Sequence, residues 1–169
     1  MARKINRIIV HTSASYNSRK GVLDPSASDI DAMHRARGWK SIGYHAVIRR
    51  GGQIEEGRDE DLVGAGVAWA NVDTLHVCCT GHGDYEDFTP QQKESLCLQV
   101  YQWMKRFGML SNFKKNPFRI LGHDEINVLV AKGLYPERAK TSKSCPGRKV
   151  DMGEIRTMIY LYCKEKEGW

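Results

Sequence analysis

The sequence predicts an α/β sandwich, a single domain with one sheet covered by helices on both faces. Three observations carry that reading. Short β-branched runs alternate along the chain with capped amphipathic segments of helical period. At 169 residues the chain is long enough for one domain and short for two. No repeat, low-complexity tract or linker divides it, so residues 1–169 read as one unit.

The elements follow in order. Ile5 to His11 is a buried strand ending on a histidine, with Ile8, Ile9 and Val10 as its β-branched run. After a Gly/Asp/Pro/Ser loop, Ser28 is expected to cap a helix that runs to about Arg37 and stops at Gly38. Tyr44 to Arg50 is a second strand, turned at Gly51-Gly52 into a short return over Gln53 to Glu56. Leu75 to Thr80 is a third, ended by Gly81 and Gly83.

Thr89-Pro90-Gln91-Gln92 combines a hydroxyl cap, a proline in the first turn and a glutamine three residues after the cap. Leu96, Val100, Met104 and Phe107 then share one helical face up to Gly108. Phe118 to Leu121 is a last strand, opening into an irregular stretch over residues 122–148. Asp151 with Glu154 starts a C-terminal helix that reaches about Cys163. Strand order is not readable.

Composition narrows the function classes. With 41% apolar and 27% charged residues the chain is neither disordered nor fibrous. Apolar stretches such as Val63 to Ala70 fall far short of the roughly twenty residues a membrane-spanning helix needs. The start, MARKINRIIV, lacks the apolar core of a secretory signal. A net charge of +6 suits nucleic acid, an anionic polymer such as cell wall, or simple solubility. No aromatic-basic recognition motif accompanies it, so no nucleic-acid partner is expected. Five cysteines without regular spacing argue against a disulfide framework.

Three potential metal ligands end or follow strands: His11, His123 and Cys145. Two imidazoles and a thiolate suit zinc, with a fourth position left for water. Spacing alone leaves the trio open between a metal site and scattered packing residues. The surrounding residues add to this. His11-Thr12-Ser13-Ala14, Gly43-Tyr44-His45, Glu56-Gly57-Arg58, Leu121-Gly122-His123 and Lys143-Ser144-Cys145-Pro146 occur in that order. From about Ile5 to Cys163 the chain thereby resembles the type-2 N-acetylmuramoyl-L-alanine amidases of phage endolysins, which share a fold with peptidoglycan recognition proteins.

The resemblance implies a central mixed sheet, Zn2+ held by His11, His123 and Cys145, and catalytic roles for Tyr44 and Lys143. The implied reaction is hydrolysis of the amide between N-acetylmuramic acid and L-alanine in bacterial peptidoglycan. Tyr44 and Lys143 would donate to the developing oxyanion. By themselves they read as a half-buried strand aromatic and a solvated cation. His34, Arg58 and His76 are candidate substrate contacts, with a packing role the plainer reading for His34. Asp124 stands where the family carries arginine, and Glu125 after it either supports a metal ligand or caps its loop. His76 replaces a glycine and is expected to reshape the cleft floor. Residues 124–142 are expected to form a lip of the cleft.

His45, next to Tyr44, should point to the opposite side, and His82 should be exposed. Cys78, Cys79, Cys97 and Cys163 read as small buried apolar groups. An inactive peptidoglycan-binding module of the same fold is the alternative. A glycosidase would need a carboxylate pair, for which only the Glu55, Glu56 and Asp59 cluster offers itself. The compact chain resembles an endolysin, expected to be a monomer without membrane insertion. Such an enzyme accumulates in the host cytoplasm and reaches the wall through a holin or a similar route.

Overall fold

The computed structural model describes residues 3–169; the first two residues of the basic start lie outside it. Five strands form the main sheet: β1 (Arg7–Thr12), β4 (Ala46–Ile48), β5 (Ile54–Glu56), β6 (Thr74–Cys79) and β7 (Ile120–Gly122). A two-stranded hairpin, β2 (Tyr16–Asn17) with β3 (Gly21–Val22), stands apart. The helices are α1 (Ala27–Ala36), α2 (Pro90–Arg106), α3 (Leu110–Lys115), α4 (Ile126–Ala131) and α5 (Met152–Glu167).

The sheet order is β5-β4-β6-β1-β7. All neighbours are parallel except β4 with β5, so the sheet is mixed. Side-chain alternation then divides β1 and β6 between two layers. Ile8, Val10, Leu75, Val77 and Cys79 join the large core that contains Leu96, Val100, Trp103 and Ile159 of α2 and α5. On the opposite face Ile9 packs with Ile126 and Leu129 of α4, and Cys78 with Ile30 of α1. Both faces are covered, as the alternation predicts. His11 shares the Ile9 face, which places it on the α1 and α4 side of a central strand.

Local chemistry accounts for the helix starts. Thr89 accepts from the backbone of Gln92, whose side chain accepts from the backbone of Thr89. Asp151 caps α5 by accepting from Glu154 N–H, and the helix continues past Cys163 to Glu167. The first cap is Ser26 rather than Ser28. Asp29 lies three residues beyond Ser26, and the two close a reciprocal box. The expected strand at Phe118 is a single tight turn, Pro117–Arg119, and β7 begins at Ile120. The stretch over 122–148 is less irregular than expected, since it holds α4 and two further short turns.

Candidate active site

His11 lies near the end of β1 and is 1% exposed. His123 begins a short turn directly after β7, the strand beside β1. Parallel neighbours thus deliver two imidazoles to one sheet end, with ring centroids 5.1 Å apart. Cys145 arrives from a distant loop, and its Sγ lies 3.7 Å from His11 Nδ1. The ligand atoms of His11, His123 and Cys145 all fall within 4.8 Å of one another.

The Cys145 loop is seated by backbone. Asp124 N–H donates to Cys145 O at 2.8 Å, tying this loop to the His123 turn. Ser144 Oγ donates to Asp84 Oδ2 at 2.8 Å, and Lys149 N–H donates to Gly83 O at 2.8 Å. Gly83 and Gly147 cross without side chains, because a Cβ on Gly147 would lie 2.1 Å from the Gly83 carbonyl carbon. A Cβ on Gly122 would lie 2.6 Å from Pro146 Cδ. These glycines let the loop close on the strand ends.

Burial sets the protonation states. It lowers His11 well below the usual imidazole range, and it lowers His123 to about 4, with the Lys143 charge acting in the same direction. Both rings are therefore neutral at neutral pH and able to offer a lone pair. Burial pushes the Cys145 thiol up to about 12. Two neutral imidazoles beside a buried thiol form a donor set completed by a divalent cation, which would draw off the thiol proton. Three such protein ligands facing a cleft suit zinc with one open position.

The cleft has a volume of about 230 Å³ and is lined by His11, His123 and Cys145 together with Tyr44 and Lys143. Tyr44 sits just before β4, with its ring centroid 5.0 Å from that of His11. Burial raises its phenol well above the usual range, so the hydroxyl keeps its proton. Lys143 is exposed on the rim. His34 lines the wall while accepting the backbone N–H of Gly43 on Nδ1 at 2.9 Å, so the packing role and the cleft position coincide. Met33, Arg37 and Trp39 complete this wall. Sequence reasoning missed them, although Met33 and Arg37 repeat at helical spacing around His34.

Other expected site residues are placed elsewhere. Arg58 is not at the cleft: its guanidinium donates to the carbonyls of Ile42 (2.9 Å), Val63 (2.7 Å) and Ser41 (3.1 Å), clamping two loops together. His76 is fully buried beneath His11 and does not reach the cleft surface, so it makes no substrate contact. Glu125 accepts from Gly122 N–H at 2.9 Å and pairs with Arg156 at 2.7 Å. It fixes the turn carrying His123 through backbone rather than through the imidazole. Residues 124–142 contribute no side chain to the cleft; Ile126, Leu129, Val130 and Ala139 pack into the core beneath.

His45 lies under the sheet end as expected. Its Nδ1 accepts His76 N–H, and its Nε2 donates to Leu62 O. His82 is half-buried rather than exposed, set edge-on to Tyr16 and Tyr85. Cys78, Cys79, Cys97 and Cys163 are buried free thiols.

A two-faced mixed sheet with two histidines and a cysteine gathered at one end defines the amidase and peptidoglycan-recognition class of α/β domain. The chain belongs to the N-acetylmuramoyl-L-alanine amidase family, whose sequence pattern matches residues 1–148. It is 36% identical over 99 residues to the endolysin of Klebsiella phage KP32, a match covering 56% of this chain and 63% of that protein. It is 26% identical over 151 residues to peptidoglycan-recognition protein SC2 of Drosophila melanogaster, covering 89% of this chain and 71% of that one. The solved structure of N-acetylmuramoyl-L-alanine amidase LysC from Clostridium intestinale superposes with a TM-score of 0.69 at 26% identity. That superposition covers 92% of this chain and 85% of the other.

Proposed function

We propose that this chain is a zinc-dependent N-acetylmuramoyl-L-alanine amidase that cuts the bond between the lactyl group of N-acetylmuramic acid and L-alanine, acting as an endolysin. The observation that supports this reading is the convergence of His11, His123 and Cys145 within 4.8 Å, in the cleft that also holds Tyr44 and Lys143. His11, His123 and Cys145 would hold the metal. Bound zinc supplies Lewis-acid polarisation of the scissile carbonyl and lowers the pKa of water towards about 7.

The remaining work falls to the chain's own side chains. Tyr44, kept protonated by burial, donates a hydrogen bond toward the oxygen that gains charge. Lys143 brings a cationic donor from the rim of the cleft. The wall of His34, Met33, Arg37 and Trp39 holds the substrate and limits water around the reacting amide. Among the described residues no helix is long and apolar enough to cross a membrane. In keeping with an endolysin, the chain would act as a monomer on the wall from the host cytoplasm, after release through a holin or similar route.

Product analysis on purified peptidoglycan tests the reading. The expected products are new free L-alanine amino termini, no rise in reducing sugar ends, and inhibition by a zinc chelator. New reducing ends without free L-alanine termini would overturn the amidase assignment. Binding without any cleavage would instead support an inactive recognition module.

A further inference from the structure

His76 is a fully buried histidine that the mechanism does not use, and its ring bridges two groups. Its Nδ1 lies 2.9 Å from His11 Nε2, and its Nε2 lies 3.0 Å from Thr74 Oγ1. Thr74 Oγ1 in turn lies 2.7 Å from Ala70 O. The carbonyl at the end of this chain can only accept, so the direction of every hydrogen bond follows from it. Thr74 spends its single hydroxyl proton on Ala70 O and must accept from His76 Nε2–H. A neutral His76 protonated on Nε2 has a lone pair on Nδ1, which accepts from His11 Nε2–H. His11 is left with its lone pair on Nδ1, the nitrogen that faces Cys145 Sγ.

From this chain of bonds we infer that Ala70 O, Thr74 and His76 form a relay that fixes the His11 tautomer and aims its Nδ1 at the metal position, making His76 a positioning residue. A second observation supports the relay. Gly64 and Gly66 flank the ring so tightly that a Cβ on Gly66 would lie 2.2 Å from His76 Nδ1, and one on Gly64 would lie 2.8 Å from His76 Cδ2. The backbone of the Gly66 segment is itself anchored, with Gly66 and Val67 N–H both donating to Asn71 Oδ1. Thus the ring cannot turn away from His11. Partners that orient a metal-binding imidazole typically carry 10- to 100-fold in metal affinity.

The inference rests on the reading of His11 as a metal ligand, and its test separates the two. Nitrogen NMR of the metal-free protein with 15N-labelled histidine reports where each ring proton sits. The expected result is a single tautomer for His11 and for His76, each protonated on Nε2. A His11 proton on Nδ1, or exchange between tautomers, overturns the relay.

Zinc affinity, measured by competition with a chelator, is the second readout. His76→Leu, which removes the acceptor, is expected to weaken zinc binding by about 10- to 100-fold. His76→Asn is expected to restore most of it, since its carboxamide oxygen takes the place of Nδ1. Equal affinity for His76→Leu and wild type, or an equal loss in His76→Asn and His76→Leu, overturns the inference. If His76→Leu fails to fold, Thr74→Val takes its place and is expected to lose the single tautomer. A wild-type protein that binds no zinc overturns the metal reading, while the proton position on His11 still decides the relay.

Discussion

Acid should destabilise this protein through His45, and the size of the effect follows from its surroundings. The ring is 3% exposed, accepts His76 N–H on Nδ1 at 3.0 Å and engages Leu62 O through Nε2 at 2.9 Å. Protonating Nδ1 would set a new N–H against the N–H of His76. Burial is the largest cause that lowers His45 from 6.5 to about 4. Below pH 6.5 the unfolded chain takes up this proton, while the folded chain does not until about pH 4. Stability is therefore lost as pH falls through that window, and the slope for one proton is about 1.4 kcal/mol per pH unit.

Over the full window His45 accounts for on the order of 3 kcal/mol, a large share of the roughly 5–15 kcal/mol a domain has. His34 and His123 add the same sign in the metal-free protein, so the wild-type slope is steeper than one proton. His45→Asn isolates the single contribution, because its carboxamide oxygen still accepts His76 N–H and cannot be protonated in this range. Urea unfolding of chelator-treated wild type and variant between pH 6.5 and 5 is the assay. The expected outcome is a wild-type loss about 1.6 kcal/mol larger than that of the variant. Parallel stability curves would refute the argument.

Three further outcomes are expected. Tyr44→Phe should keep its zinc and lose about 100- to 1,000-fold in kcat on peptidoglycan with KM little changed, because the lost donor acts in the transition state. His123→Ala should abolish stoichiometric zinc measured by atomic absorption, while a substitution of Met33 on the same cleft wall should leave it in place. Gly147→Ala should lower Tm and weaken zinc binding together, since the residue has a φ of 126° and an added Cβ would lie 2.1 Å from the Gly83 carbonyl carbon, so the side chain cannot be taken without moving the Cys145 loop.

The parts of the fold legible in the sequence are those with a local cause. Thr89-Pro90 and Asp151 mark their helices because a cap is a contact over three residues. Ser26 and Ser28 flank Ala27 as rival caps, and only the geometry of Asp29 decides between them. α4 escaped notice because six residues are too few to display a helical period. Strand order leaves no local trace: β1 pairs in parallel with β6 and β7, far along the chain.

The candidate site divides in the same way. His11, Tyr44 and His123 were legible through short motifs beside strands, and Lys143 and Cys145 through a short motif in a loop. Arg58 sits in one of those motifs, yet its guanidinium is consumed by carbonyls that only the folded loops bring together. His76 was expected at the cleft because it stands where the family carries glycine. It does lie on the His11 face of β6, but His11 and the segment of Gly64 and Gly66 cover its ring, and only the folded chain brings those together.

The thiol and the first imidazole of the metal cluster are separated by 134 positions in sequence. Between them lie every strand of the sheet after β1 and four of the five helices, so no fragment that ends before the Cys145 loop can assemble the full donor set. An unfolded chain presents the same three side chains as isolated, weakly chelating groups. With these residues holding zinc as proposed, metal capture is tied to global folding, and zinc added to the native protein should raise the energy needed to open it in proportion to the logarithm of metal concentration. On the proposed reading, a chain cut before Cys145 would hold only two of the three donors and stay inert toward the wall.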